Sequence, residues 1–334
     1  MHAEAEEAAD AVARFLDVNK AALDRIVARL EANPPSTVIT CARGSSDHAA
    51  TYGKYLIETM VGIPTASAAL SVSSLFSAPV IAPGALCIAI SQSGRSPDLL
   101  KTVQAYQAAG AFVVALVNDA SSPLAEHADD VLPLEAGPEL SVAATKSYIV
   151  SLAGLAALVA RWSGNMALEA DLLRLPDALR QAFALDWNAA IAPLEQATNL
   201  FVIGRGYSFA VAQEAALKLK ETCGLHAEAF SSAEVRHGPM AIVRDGFPIL
   251  GFATSDAAGD DVRAVGKEFL DRGAQVRLAD AGGAIPGLPA LRGHPVLEPI
   301  LMIQSFYRFV NTLALRRGLD PDMPPHLKKV TQTL

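Results

Sequence analysis

The stretch "LKLKETCGLHAEAFSSAEVRHGP", residues 217 to 239, crowds ionisable side chains into a chain of which only 19% is charged. A helix over about 208 to 222 would place Lys218 and Glu221 at i, i+3 on one face and turn Lys220 away. On a solvated face such a pair is commonplace and adds little stability. A carboxylate kept ionised beside a lysine is also what a proton carrier needs. His237 sits at a "HGP" turn, a place where an imidazole can stand exposed beside a cleft and take part in proton transfer. His226, inside the apolar phrase "GLHAEAF", reads as a partly buried, satisfied side chain. Lys220, Glu228, Glu234 and Arg236 read as ordinary surface charge. The tail "PPHLKKVTQTL" adds amines, but these groups have no metal-ligand spacing, and neither HExxH nor CxxC occurs. A carboxylate, an imidazole and an amine without metal or nucleotide suit proton transfer next to a carbonyl, with imine formation open to the amine.

Two hydroxyl-rich loops form a second group. "RGSSDHA", residues 43 to 49, follows an apolar strand and opens a helical run, so Gly44, Ser45 and Ser46 lie where free backbone N–H groups converge. "ISQSGRSPD" ends another strand. There Ser91, Ser93 and Ser96 offer hydroxyls, Gln92 an amide, and Gly94 a close backbone approach. Ser96 before Pro97 and Asp98 also reads as a plain helix cap with Pro at the first position. An ordinary strand-to-helix turn accounts for "SQSG" alone equally well; the two loops together point to anion binding. Neither has the Gly-Lys-Ser/Thr end of a Walker A loop or the GxGxxG spacing of a dinucleotide site, so no nucleotide or nicotinamide cofactor is expected.

The elements that must position these groups follow from periodicity. Residues 1–34 form an N-terminal helical segment, with Val12, Phe15, Leu16, Leu23, Ile26 and Leu30 at helical spacing. From there the short apolar runs "TVITCA", "ALCIAIS", "AFVVALVN" and "DVLPL" alternate with helical stretches such as 97–109, which indicates a parallel sheet. A long helical region, roughly 144 to 196, precedes a second part with the same grammar: "NLFVIGRGYS", "FPILGFATS", "AQVRLAD". The halves repeat. Arg43-Gly44 matches Arg205-Gly206, and Gly110 matches Gly273, at offsets of 162 and 163 residues. The expected fold is α/β, two tandem doubly wound parallel-sheet domains of flavodoxin-like order with helices on both faces. Its parts are a first domain at 35–165, a helical connection at 166–196, a second domain at 197–318 and a tail at 319–334. Within these, "GGAIPGLPALRGHPVLEP" reads as turn-rich connection and 297–317 as a helix.

Composition narrows the function classes. At 334 residues and 51% hydrophobic, the chain can bury a large core, yet no apolar run approaches the ~20 residues of a membrane-spanning helix. The acidic start "MHAEAEEAADAVARFL" lacks a secretory signal's basic and apolar regions, so a cytoplasmic protein without a membrane role is expected. Cys41, Cys87 and Cys223 are too few and too scattered for a disulfide framework or a zinc site. A net charge of −8 lacks the basic excess of a nucleic-acid-binding surface. It permits a small phosphorylated ligand, which backbone amides and hydroxyls hold without surplus cations.

Six phrases in order, "RGSSDHA", "ISQSGRSPDLL", "AGPELSVAATKSY", "GRGYSFAVAQEAALKLKE", "HAEAFSSAEVRHGP" and "DPDMPPHLKKVT", resemble sugar isomerase (SIS) domain proteins. The likeness runs from about residue 36 to the end. It is greatest to the isomerase half of glucosamine-6-phosphate synthase and to stand-alone SIS-type glucosamine-6-phosphate deaminases. The resemblance implies that Gly44, Ser45, Ser46, Ser91, Gln92, Ser93 and Ser96 hold a sugar phosphate, and that Val142 contacts the sugar. It implies that Glu221 moves a proton between C1 and C2 with Lys218 beside it, and that Lys329, next to Lys328 in the tail, forms an imine with the open-chain ketose. It further implies that His237 assists ring opening in the neighbouring subunit's site, hence a homodimer with shared active sites. The synthase has a glutaminase domain opening on a nucleophilic cysteine where this chain begins Met-His, so glutamine is not expected to supply ammonia in cis. The reaction implied first is isomerising deamination of glucosamine 6-phosphate to fructose 6-phosphate and ammonia. Alternatives are amination of fructose 6-phosphate in the synthase direction, a deglycase acting on a phosphorylated fructosamine, and a non-catalytic sugar-phosphate sensor.

Overall fold

The computed structural model describes residues 1–283 and 287–329. Residues 284–286 of the expected turn-rich connection and 330–334 of the expected tail lie outside the described residues. The chain divides into two compact units. One comprises Asp10–Glu139, Lys146–Leu173 and, from the tail, Lys328 and Lys329; the other comprises Met1–Ala9, Leu140–Thr145 and Arg174–Leu327.

In the unit built on Asp10–Glu139, five strands form one parallel sheet: β1 (Val38–Cys41), β2 (Thr65–Ser67), β3 (Leu86–Ser91), β4 (Phe112–Val117) and β5 (Asp130–Pro133). Their order is β2-β1-β3-β4-β5, every neighbouring pair parallel. This is the flavodoxin-like order, whose connections diverge between β1 and β3. Both faces are covered. Cys87, Ala89, Val113 and Ala115 pack with Leu99 and Val103 of the helix Pro97–Ala108, while Ile88, Ile90, Val114 and Leu116, of opposite parity, are buried as well. Burial on both sides explains why these strands read as continuous apolar runs without alternation. The helix Lys146–Trp162 is buried along nearly its whole length, which accounts for its uninterrupted apolar composition.

The other unit repeats the plan with four strands: β6 (Asn199–Gly204), β7 (His226–Ser231), β8 (Pro248–Ala253) and β9 (Gln275–Asp280), in the order β7-β6-β8-β9, again all parallel. Phe201, Ile203, Ile249 and Leu278 pack with Val262, Val265 and Phe269 of the helix Ala257–Asp271. The α/β fold with two parallel sheets is thus as expected, and its duplication is visible in backbone detail. Gly44 and Gly206 precede their helices with φ 56°, ψ −132° and φ 56°, ψ −127°. Gly110 and Gly273, at φ 91° and 83°, each accept a bond from another glycine, Gly84 or Gly246, through the carbonyl.

Two strands had no apolar run to announce them. β2 is three residues long with two of them exposed, and β7 is an edge strand of alternating exposure. That edge corrects the reading of His226, which is exposed at the first position of β7. The long helical region breaks into Lys146–Trp162, Met166–Leu172, Leu175–Ala184 and Ile191–Glu195.

The helix Ala257–Asp271 starts hard against the end of β8. A Cβ on Gly259 would lie 1.7 Å from the Thr254 carbonyl oxygen, and the Gly259 N–H donates to Asp256 Oδ1 at 3.2 Å. Neither backbone can yield without breaking that start. Gly259→Ala is therefore expected to cost about 3 kcal/mol or more, read as a lowered urea midpoint with an unchanged slope; a midpoint equal to wild type would contradict this packing.

Candidate functional site

Each unit presents its own group of candidate side chains. In the unit of β1–β5, the two hydroxyl loops leave the carboxyl ends of adjacent strands, since Cys41 of β1 lies opposite Ala89 of β3. They flank the point where the connections diverge, the place where open α/β sheets bind ligands. The first loop enters the helix Ser45–Met60, so Ser45 and Ser46 occupy its first turn and Gly44 its N-cap, with Ser45 and Ser46 half-buried. The second is folded on itself: Ser91 Oγ accepts the Gly94 N–H at 2.9 Å, and Ser93 Oγ accepts the Arg95 N–H at 3.4 Å. Gly94 has φ 64°, and a Cβ there would meet Ser122 Oγ at 2.2 Å, so only glycine fits this turn. Ser96 is the N-cap of Pro97–Ala108 with extended backbone, but its hydroxyl does not cap the helix. Gln92 lies half-buried between these serines.

A residue not singled out for the site ties the loops together. Arg43 Nε and Nη2 both donate to Asp98 Oδ2, at 3.0 and 2.8 Å, and Asp98 is 1% exposed. Asp98 also accepts the Leu99 N–H at 2.8 Å through Oδ1, so the carboxylate fixes both the first turn of its helix and the arginine of the other loop. At the second loop's rim, Arg95 donates to Asp119 at 2.8 Å. Hydrogen bonds from the Ser121 hydroxyl and then from Arg95 hold Asp119 at a pKa of about 2.

Lys329 belongs to this unit. Its Nζ lies 3.2 Å from Glu139 Oε2, while Lys328 is exposed. The Glu139 side chain is fully buried and accepts the Ser147 N–H at 3.2 Å and the Ser147 hydroxyl at 2.7 Å, at the start of the helix Lys146–Trp162.

In the unit of β6–β9, the helix Tyr207–Cys223 carries Lys218 and Glu221 on one face, as the spacing predicts. Lys218 Nζ is 2.6 Å from Glu221 Oε2 and 3.2 Å from Glu214 Oε1. Glu214 and Lys218 are 0% and 1% exposed, while the Glu221 side chain keeps 20% exposure. Tyr307 donates its hydroxyl to Glu214 Oε1 at 3.1 Å. Burial pulls the Lys218 ammonium down, but Glu214 and then Glu221 more than offset it, and its pKa ends above the ordinary lysine value. The spacing that found Glu221 applies one turn earlier to Glu214, at i, i+4 from Lys218; what no pattern carried was its burial and its tyrosine.

Glu221 faces a cavity of about 400 Å³ lined by Leu217, Leu319, Pro325 and Leu327 among others. Val142, half-buried, donates its N–H to the Asp322 carbonyl at 3.2 Å and so lies against the chain just before those prolines. His237 is exposed, directly after the turn Glu234–Arg236, and donates its N–H to the Glu234 carbonyl at 2.9 Å. The turn is held by Arg236, which reaches Asp261 at 3.2 Å and Glu268 at 3.3 Å.

The SIS domain model matches residues 33–161 and 193–279, covering both sheets. The chain belongs to the SIS domain family. Among sequence relatives, the glutamine–fructose-6-phosphate aminotransferase (isomerizing) of Symbiobacterium thermophilum is 35% identical over 315 residues, 87% of this chain and 51% of that one. The chain thus spans about half the length of the curated relatives it matches. A crystal structure assigned as a phosphosugar isomerase, from Silicibacter pomeroyi DSS-3, is 44% identical with a TM-score of 0.92, covering 96% of this chain and 99% of that one. The glucosamine-6-phosphate deaminase of Thermotoga maritima shares the fold at 22% identity and TM-score 0.76, over 98% of this chain and all of the other. Among the described residues, no helix is long and apolar enough to cross a membrane.

The buried lysine of this SIS chain has a pH signature. Its raised pKa means that its stabilising contribution is complete below the ordinary lysine value of 10.5 and is lost as pH rises through the folded value above it. Lys218→Met leaves Glu214 buried without that charge and is expected to cost about 3–5 kcal/mol near neutrality. In urea unfolding at about pH 8 and about pH 11, the gap between wild type and Lys218→Met should narrow at the higher pH; a gap independent of pH would contradict the assignment.

Proposed function

We propose that the protein is an isomerising deaminase that converts glucosamine 6-phosphate to fructose 6-phosphate and ammonia. The observation that carries this reading is the position of Glu221, one carboxylate oxygen 2.6 Å from a buried ammonium and part of its side chain open to a cavity. A carboxylate so held is fixed in direction and ready to accept a proton. In this reading, His237 of a second copy of the chain helps open the sugar ring. Glu221 then takes the proton from C2 of the open-chain amino sugar and returns it to C1. With a second proton passing from the C2 nitrogen to the C1 oxygen, the product of that transfer is an imine at C2, which takes up water and loses ammonia, directly or after exchange onto Lys329.

The phosphate falls to Gly44, Ser45, Ser46, Ser91, Gln92, Ser93 and Ser96. Supporting this are two hydroxyl loops on adjacent strand ends, a helix start within one of them, and the Arg43–Asp98 pair that joins them. Val142 is assigned a contact to the sugar and Lys328 a place beside the substrate. Cofactor and metal have no step in this chemistry.

A second reading, the same proton transfer run toward amination of fructose 6-phosphate, is favoured by the 35% identity to an isomerizing aminotransferase. The directions separate in one experiment. Ammonia release is measured over glucosamine and galactosamine 6-phosphates, beside amino-sugar formation from fructose 6-phosphate with ammonia or glutamine. Deamination predicts release from glucosamine 6-phosphate. Glu221→Gln is expected to lower turnover about 10³-fold while sugar phosphate binding stays within about threefold of wild type. Retained turnover would remove Glu221 from the mechanism, and amination without release would favour the second reading.

A further inference from the structure

Glu139 has no step in the chemistry above, yet it is a fully buried carboxylate beside the tail lysine. Its surroundings fix it from the helix side. Ser147 gives it both backbone N–H and hydroxyl at the start of Lys146–Trp162, where the helix dipole also favours negative charge. Oε2, which takes the Ser147 hydroxyl at 2.7 Å, is the oxygen that meets Lys329 Nζ at 3.2 Å. The Lys329 side chain keeps 23% exposure, so its amine is tethered at Glu139 while part of the side chain stays open to solvent. Among the described residues, the tail leading to it is coil, with His326 at φ 67° and no regular element to hold the lysine.

We propose that Glu139 is the positioning residue for Lys329: it holds the amine at a fixed point and stabilises the positive charge that the amine carries again once it has become an imine. The inference rests on the reading that Lys329 forms an imine. In that step the neutral Lys329 amine adds to C2 of the open-chain ketose and forms the N–C bond. The former carbonyl oxygen, after taking up two protons, leaves as water, and the nitrogen is left as a protonated iminium. That cation is one covalent bond from the substrate and beside Glu139. A charge-assisted contact of this kind is stronger in the iminium state than any neutral replacement provides.

Gln at position 139 keeps an oxygen to accept the Ser147 N–H and nearly the same volume, so it separates charge from packing. The experiment uses the whole chain with fructose 6-phosphate and sodium borohydride, which adds hydride to C2 of the iminium and leaves a stable secondary amine on the protein, read by mass spectrometry. Wild type should acquire one sugar phosphate per chain, and Lys329→Ala none. Glu139→Gln should trap about tenfold less at saturating ketose, lower kcat with KM changed far less, and unfold at the same urea midpoint within error, whereas Glu139→Asp should recover part of the trapping. Ser147→Ala, which removes one donor and leaves the carboxylate, covers the case in which Glu139→Gln fails to fold; it should trap at an intermediate level. Wild-type trapping with equal trapping in Glu139→Gln, or in Ser147→Ala where that variant must stand in, would overturn the role of Glu139 alone. No trapping in wild type would overturn the imine reading and this inference with it.

Discussion

A lysine removed from water and caught between two carboxylates on one helix is the constraint around which the unit of β6–β9 is arranged. Lys218 cannot be buried unpaired, because the desolvation of an ammonium costs several kcal/mol. Glu214 and Glu221 meet that cost at i−4 and i+3. The pairing works only on an unbroken helix, and Tyr207–Cys223 is one, ended by Gly224 in left-handed conformation. Tyr307 takes part of Glu214's hydrogen-bonding capacity from a second helix. What is left is an asymmetry. One carboxylate is sealed, and the other carries the same ion pair to the edge of a cavity.

The duplicated sheets have diverged in what they place at their strand ends. In the first, the N-cap of the helix after β3 is Ser96, whose hydroxyl makes no capping bond, and the loop before it carries Ser91 and Ser93. In the second, the helix after β8 is capped by Asp256, which accepts the Gly259 N–H, and Glu298 accepts the Ser255 N–H at 2.7 Å. A carboxylate cap occupies such a helix start with its own charge, whereas in the first helix the Asp98 carboxylate is taken up by Arg43 and the Leu99 N–H. The two helix starts therefore differ in their caps, a hydroxyl in the first and a carboxylate in the second, although both share one backbone plan down to the φ and ψ of Gly44 and Gly206.

Much of this was legible in the residues. Strands buried on both faces declare themselves as apolar runs, and the paired Gly44/Gly206 and Gly110/Gly273 marked the repeat because positive φ demands glycine. The Lys218–Glu221 pair followed from helical spacing alone. Other features depend on distance in space. Arg43 and Asp98 are separated by two strands and two helices, and Glu139 meets Lys329 across 190 residues. No local pattern reports such contacts. β2 and β7 escaped because β2 is only three residues long and β7, HAEAFS, carries polar residues at its exposed positions, His226 among them.

The claim that Glu221 carries a proton between C1 and C2 is most directly tested by isotope transfer. Wild-type protein is given glucosamine 6-phosphate in deuterated water, and the fructose 6-phosphate formed, with the remaining substrate, is followed by proton NMR. Proton carriage by one carboxylate predicts deuterium on one face of C1 in the product, at less than one atom per turnover if part of the C2 proton is delivered before exchange, and none at C3 to C6. Ammonia release with no deuterium at C1 and no transfer of label from C2-deuterated substrate to C1 would contradict it.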